Sequence, residues 1–223
     1  QPTSPTVNEW FPDDSNGTLS KPDCWDEFSD NGDRETGCLD LNALELYTTT
    51  GGVKKTARYR WIWKPRATHG TANDYSDIFN LVDAANAPAN TFQPAMECLA
   101  DMDHWMRTFA MNDLASYWDA FGNPNAKNTF LYKPERDTWK LMCWDFDVGL
   151  GVFNDPVNDP LFPVLNDTQM NRVYATPAWT RLYWNALAEG VNSFFNTGPG
   201  TPVDAILDAK YAAFQASGLA LNG

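Results

Sequence analysis

The chain is poor in positive charge, nearly without histidine, and has no paired-cysteine motif. Lys and Arg number 16 against 29 Asp and Glu in 223 residues, giving a formal net charge of −13 and a pI near 4.4. Such a surface repels phosphate backbones and anionic lipid, which argues against nucleic acid and a simple anionic membrane as partners. The only histidines are His69 and His104, and Cys24, Cys38, Cys98 and Cys143 never fall in C-x-x-C spacing, so a structural zinc site finds little support. No apolar run approaches the roughly 20 residues that span a bilayer. The opening QPTSPTVNEW has neither a charged n-region nor an apolar h-region, and we expect either that a leader has been removed or that the chain is a fragment.

What is present is enough for one folded domain. Hydrophobic residues make up 43% and aromatics 14%, with ten tryptophans, so a sizeable core is within reach. An even number of cysteines in an acidic, Trp-rich chain fits disulfides and an oxidising compartment. Cys24 with Cys38 closes a short polar loop and leaves Cys98 with Cys143. The other two connectivities stay open.

Residues 1–40, rich in Pro, Asp, Asn, Gly and Ser, read as irregular structure. FPDDSNG and SDNGDRETG are acidic turns that lack the spacing of a calcium loop. A short helix is expected in LDLNALELYTTT. KKTARYRWIWKPR reverses the local charge, and reads either as a helix face salt-bridged to nearby acids or as a patch for an anionic ligand. NDYSDIFNLVDAAN reads as a helix capped by Asn73 or Asp74. ADMDHWMRTFAMNDLASYWDA is the clearest helix, capped by Asp101, with Met102, Trp105, Met106, Phe109, Leu114 and Trp118 as its apolar stripe and Asp119 at its C-terminus. TFLYK and WKLMCW read as the two strands of a hairpin. Residues 154–175, rich in Pro and Asn, read as a long loop of the kind that covers sites. Thr176–Pro177 and Thr201–Pro202 open two closing helices. The expected class is α+β, mainly helical, with a β-hairpin carrying acids.

Those acids are the candidates for chemistry. An anion at a helix C-terminus meets the negative end of the dipole, so Asp119 calls for a cation or a donor. Asn128 begins the first hairpin strand, and Asp145 and Asp147 end the second. On an extended strand alternate residues share a face, which would set both carboxylates on one side of Phe146. Three carboxylates and an amide oxygen, with no His or Cys nearby, make a hard-oxygen site suited to Mg2+ before Ca2+ or Mn2+. The order Asp, Asn, hairpin, Asp-Phe-Asp is that of kinase-like phosphoryl transfer. The alternative is that these acids are ordinary turn and cap residues.

The stretch YWDAFGNPNAKNTFLYKPERDTWKLMCWDFDVGLG resembles the signature of the CotH kinase family: a W-D segment, a loop with an Asn, an aromatic strand, a W strand, then W-D-x-D and glycine. GTLSKP, GGVKKTARYRW and ANDYSDIFNLVDAAN resemble further stretches of secreted members. The resemblance implies an atypical protein-kinase-like fold and an ATP- and Mg2+-dependent transfer of phosphate to protein hydroxyls, on substrate proteins or on itself. It implies Asp119 as the catalytic-loop Asp, Asn128 and Asp145 as metal ligands and Asp147 as the second acid of that motif. Asn123 and Asn125 are alternatives for the Asn. It also implies that residues 1–223 are the C-terminal lobe, with the ATP-gripping Lys and its Glu in an N-terminal lobe absent from this chain. An extracellular or cell-surface protein, associated with its own N-terminal half or a larger surface assembly, is expected. The alternative is a non-catalytic structural or adhesion protein of the same fold.

Overall fold

Strand β1 (Thr18–Pro22) runs through the middle of a four-stranded antiparallel sheet, flanked by β4 (Trp63–Ala67) on one side and β5 (Thr129–Lys133) on the other, with β6 (Lys140–Cys143) at the far edge. The structure, a computed structural model, describes residues 3–28, 34–37, 42–67, 71, 73–123, 125–150, 160–162, 164–196 and 200–218. A separate hairpin joins β2 (Trp25–Phe28) to β3 (Arg34–Gly37). The architecture is α+β: among the described residues, eight α-helices accompany these six strands.

The sheet divides two apolar clusters by simple alternation. Successive residues of a strand face opposite sides. Leu131 and Leu141, partners across β5 and β6, join the main core. Phe130, Tyr132 and Met142 face a smaller cluster with Leu19 and with Val7 of α1 (Ser4–Trp10). β5 is therefore buried on both sides, as an apolar TFLYK run requires.

The main core is helical. α5 (Met102–Leu114) buries Met102, Trp105, Met106, Phe109 and Ala110, a stripe at 3.6-residue spacing. Asp101 caps it, accepting the His104 N–H at 3.0 Å, as expected. α7 (Pro177–Ser193) lies along α5 in the most extensive element pairing of the molecule, burying Trp179, Tyr183, Ala186 and Leu187. The approach leaves no room for a side chain at Gly190, where a Cβ would sit 2.3 Å from Leu114 Cδ1. Trp105 locks the core to the sheet side: its ring meets Phe121 edge-on at 5.7 Å, and its Nε1–H donates to Trp139 O at 2.9 Å. α3 (Ser76–Ala85) and α8 (Pro202–Ser217) occupy the expected stretches, and Thr201 Oγ1 accepts the Asp204 N–H.

Several expectations are corrected. LDLNALELYTTT is not helical over its described residues; Asn42 adopts φ 49° and Thr48 bridges to Lys54 around a turn. The N-terminal forty residues hold α1 and β1, because Pro5 starts a helix turn and TLSKP finds partners on both edges. α4 (Ala89–Glu97) forms despite Pro94, and α6 (Thr168–Ala175) forms inside the expected loop, capped by Asp167 accepting from Gln169 and Met170 N–H groups. Residues 154–159 and 163 of that loop lie outside the described residues. The basic stretch splits into α2 (Thr56–Ile62) and β4. At least three of its six charges are engaged within the fold: Lys54 pairs with Asp83, Lys64 with Asp23, and Arg58 stacks 4.4 Å from the Tyr47 ring. Cys98 and Cys143 are both free thiols, so that pair is not formed; Cys143 Sγ sits under the sheet near Asn112, and burial pushes its thiol up to about 11. Cys24 is not a free thiol, and Cys38, the partner expected for it, lies outside the described residues.

Candidate functional site

Asp119 does not end a helix. α5 stops at Leu114, and Asp119 sits in the loop that returns the chain to β5. The loop is anchored at both ends. Tyr117 N–H donates to Asn112 O at 2.7 Å, and Phe121 N–H donates to Thr129 Oγ1 at 3.1 Å. Gly122 is needed directly after Phe121: it has φ +94°, and a Cβ there would lie 2.6 Å from the Phe109 ring. Tyr174 of α6 holds the same corner by donating its hydroxyl to Gly122 O.

With no ladder around it, Asp119 is placed by side chains. Asn128 Nδ2 donates to Asp119 Oδ2 at 2.7 Å, and Asn125 Nδ2 donates to Asp119 Oδ1. Both asparagines reach one carboxylate because the backbone between them curls through left-handed conformations at Ala126 (φ 49°) and Asn128 (φ 46°), which non-glycine residues seldom adopt. Asn123 is spent on structure, donating to Tyr117 O.

The Asp-Phe-Asp segment is brought alongside by the hairpin. Asn128 O accepts the Trp144 N–H at 3.0 Å, so the residue after Trp144 emerges next to Asn128. β6 has already ended at Cys143, and Asp145 is left-handed (φ 64°, ψ 59°), capping a short 3-10 turn from Phe146 to Val148. Strand alternation therefore does not set its side chain. A tight turn sets it, and Asp145, Phe146 and Asp147 are all exposed. The turn is fixed from below by Tyr117, a residue the sequence reading did not single out. The buried Tyr117 hydroxyl faces two carbonyls, Trp144 O at 2.9 Å and Asp145 O at 2.8 Å, and its ring packs against Phe146 with centroids 4.5 Å apart. Leu150 N–H closes the arrangement on Ala115 O. The signal for Tyr117 was its place two residues before Asp119, in a segment too short for periodicity to mark it.

The electrostatics are those of crowded acids. Burial pushes the Asp119 carboxyl up; Lys127 and the Asn125 amide oppose this, and Asp147 and Asp145 add to it. Burial, reinforced by the same three aspartates, raises the Tyr117 hydroxyl despite the Asn128 amide beside it. Asp119, Asp145 and Asp147 thus share one field. Among the described residues no three His, Cys, Asp or Glu side chains form a metal cage. The donors do fit a magnesium ion of the phosphate-binding kind, which takes one or two carboxylates and fills its shell with water and phosphate oxygens. Asn128 spends its amide nitrogen on Asp119, which leaves Oδ1 for a cation, and the Asp145 and Asp147 carboxylates are open to solvent.

The order of these parts along the chain coincides with a family match: the family described as CotH kinase protein matches residues 15–198. The chain belongs to the CotH kinase family. The match spans β1 through α7 and includes Asp119, Asn128, Asp145 and Asp147. No curated protein is significantly similar to the chain. α8 lies beyond the matched residues. Among the described residues no helix is long and apolar enough to cross a membrane.

Proposed function

We propose that this CotH-family chain carries the catalytic and metal-holding half of an ATP- and Mg2+-dependent phosphotransferase that acts on protein hydroxyls. The observation that supports it best is the pairing of Asp119 with Asn128, whose amide nitrogen donates to Asp119 while its backbone carbonyl accepts the Trp144 N–H just ahead of Asp145. Asp119 takes the role of accepting the hydrogen bond of the attacking hydroxyl and orienting it; its raised carboxyl suits it to receive the proton late in the step. Asn128 Oδ1, Asp145 and Asp147 would hold the magnesium ion, whose part is to neutralise charge on the transferred phosphate. Tyr117 keeps the Asp145 turn rigid, so that this carboxylate need not reorganise when nucleotide arrives. The Lys and Glu that grip the phosphates in such a site are expected from an N-terminal lobe.

We place the protein at the cell surface or outside the cell, a reading supported by its acidity and by the bonded state of Cys24. The test uses the protein at its full natural length. With ATP and Mg2+ it should label itself or a co-purifying surface protein, and Asp145→Ala should abolish the label. Equal labelling by that variant sinks the role of Asp145. No labelling and no nucleotide binding by the natural protein would turn the assignment to a structural or adhesion protein of the same fold.

A further inference from the structure

The loop between Asp119 and β5 contains an asparagine whose arrangement makes little sense as structure alone. Asn125 is 5% exposed. Its amide nitrogen donates to Asp119 Oδ1, and its carbonyl Oδ1, also buried, finds no hydrogen-bond partner among the described residues. Leaving a buried acceptor unmatched costs about 1–3 kcal/mol. Asn42 Oδ1 and Asn112 Nδ2 are also buried without a partner among the described residues, but neither faces a carboxylate of the site, and Asn171 and Asn86 show how an amide that serves the fold is used. Asn171 takes the Leu165 N–H on its oxygen and gives its nitrogen to Leu165 O; Asn86 gives its nitrogen to Leu44 O and Val82 O. Asn125 instead faces a half-buried carboxylate, at the end of a backbone path strained through Ala126 and Asn128.

We infer that Asn125 is a positioning residue: it completes a two-asparagine clamp that fixes the plane of the Asp119 carboxylate and thereby the orientation of Asn128. This rests on the proposed phosphotransfer reading. One donor alone leaves a carboxylate free to swivel about its Cβ–Cγ bond. Two donors, one on each oxygen, fix the plane in which its remaining lone pairs lie, and so fix where an acceptor hydroxyl can bond. The clamp also keeps Asn128 on Oδ2 alone. Without Asn125, the Asn128 amide is free to centre itself between the two Asp119 oxygens, and that rotation turns its Oδ1 as well. Asn125 touches neither the hydroxyl nor the phosphate. It acts through Asp119 and Asn128, and its unmatched oxygen is the cost of that placement.

The test compares Asn125→Ala and Asn125→Asp with the natural full-length protein, using ATP with Mg2+ and whichever protein the natural enzyme labels. Ala removes the donor, whereas Asp keeps the shape of Asn but sets a second carboxylate against Asp119 Oδ1, so the pair compares loss of the clamp with its reversal at constant shape. Both variants should lose about 10–100-fold in kcat, with KM for ATP changed by less than about threefold. Asn125→Ala should melt no lower than the parent, since it removes an unmatched acceptor along with a hydrogen bond. Unchanged kcat in Asn125→Asp, or a kcat loss that tracks a fall in Tm in both variants, overturns the inference. A second measurement does not need activity. The Asn125 side-chain amide resonances in a 15N spectrum should move on Asp119→Asn, because a charged acceptor becomes a neutral one. If they do not move, the clamp is absent whatever the enzyme does. If they move and the natural protein transfers no phosphate, the clamp stands and the phosphotransfer reading falls.

Discussion

Asp113 and Asp119 stand six residues apart and sit in opposite surroundings. Asp113, in the last turn of α5, is walled in by aromatic rings. Among the described residues Tyr183 is the one hydrogen-bond partner of its carboxyl, and the Phe162, Tyr174 and Trp184 rings pack around that tyrosine. Burial alone pushes its carboxyl up to about 7. Asp119, in the loop just beyond, is also raised by burial, but the field of Lys127 and the Asn125 amide oppose that rise, and two more acids add to it. The Tyr183 hydroxyl lies against Asp113 and also donates to Leu161 O at 2.7 Å. One hydroxyl proton cannot serve two acceptors. A neutral Asp113 supplies the second proton, donating to Tyr183 while Tyr183 donates to Leu161. A carboxylate in an apolar wall with one neutral donor stays protonated, while one given amide donors and a nearby cation can carry charge for use. The difference lies in donor supply more than in depth.

The largest effect separates the two by function. Asp119→Asn should cost about 10²–10⁴-fold in phosphoryl transfer, the usual contribution of a positioned base, with Tm almost unchanged. Asp113→Asn should leave transfer kinetics as they were. Steady-state kinetics with ATP and Mg2+ on both variants read this directly. Equal losses would mean that Asp113 and Asp119 belong to one functional unit.

Next comes the pH dependence that Asp113 imposes on stability. Its folded pKa, about 7, is raised above the ordinary 3.8. The folded state therefore holds a proton that the unfolded chain releases. Between pH 3.8 and about 7 stability falls as pH rises, and above about pH 7 the cost is fully present. At about 1.4 kcal/mol per pKa unit, the penalty is a few kcal/mol. Asp113→Asn mimics the neutral acid, so it should raise stability at pH 8 and flatten this window in urea titrations. Asp167, whose buried carboxyl is raised to about 6, contributes a smaller slope of the same sign and stays in both proteins. An unchanged pH profile would show that Asp113 is charged in the fold.

Tyr183→Phe probes the same cage from the other side. It strips the donor from Leu161 O and the partner from Asp113, and should cost about 1–3 kcal/mol. The loss should be greater at pH 8 than at pH 5, since an ionised Asp113 would then have no donor at all. Thermal melts at the two pH values test it.

How much of this was legible beforehand depends on where order comes from. α5, α7, α8 and the β5–β6 hairpin were readable, because periodic burial and capping residues such as Asp101 and Thr201 are local signals. α4 was not, since Pro94 sits inside a mostly polar helix held by Phe92 and Met96 in the core. α6 was hidden by the Pro- and Asn-rich run before it, although Asp167 followed by Met170, Val173 and Tyr174 carried the pattern of a capped helix. At the site, the order Asp119, Asn128, Asp145, Asp147 was visible through the family motif. Its geometry was not. Ala126, Asn128 and Asp145 take left-handed backbones that no pattern in their own neighbourhood demands, and tertiary contacts such as Tyr117 to Asp145 O fix them. That is why Asp119 was expected at a helix end and Asp145 and Asp147 on one strand face.

A third aspartate sharpens the contrast with the smallest effect. Asp101 caps α5 at its other end, a third exposed, accepting from His104 N–H and paired with Lys140 Nζ at 2.7 Å. Burial works against its charge, but the Lys140 ammonium and the His104 amide outweigh it and hold its carboxyl below the ordinary range. The sign is then opposite to that of Asp113. Stability from Asp101 is present above the unfolded value of 3.8 and is lost as pH falls through the lower folded value. Asp101→Ala should cost about 0.5–2 kcal/mol at neutral pH, the usual range for an N-cap, with the ion pair adding little at this exposure. The cost should shrink toward pH 3, while any gain from Asp113→Asn appears only at higher pH. One urea series run on both variants from pH 3 to pH 8 would therefore show one difference closing at the acid end and the other opening at the basic end. If the two curves run parallel, donor supply is not what distinguishes these carboxylates.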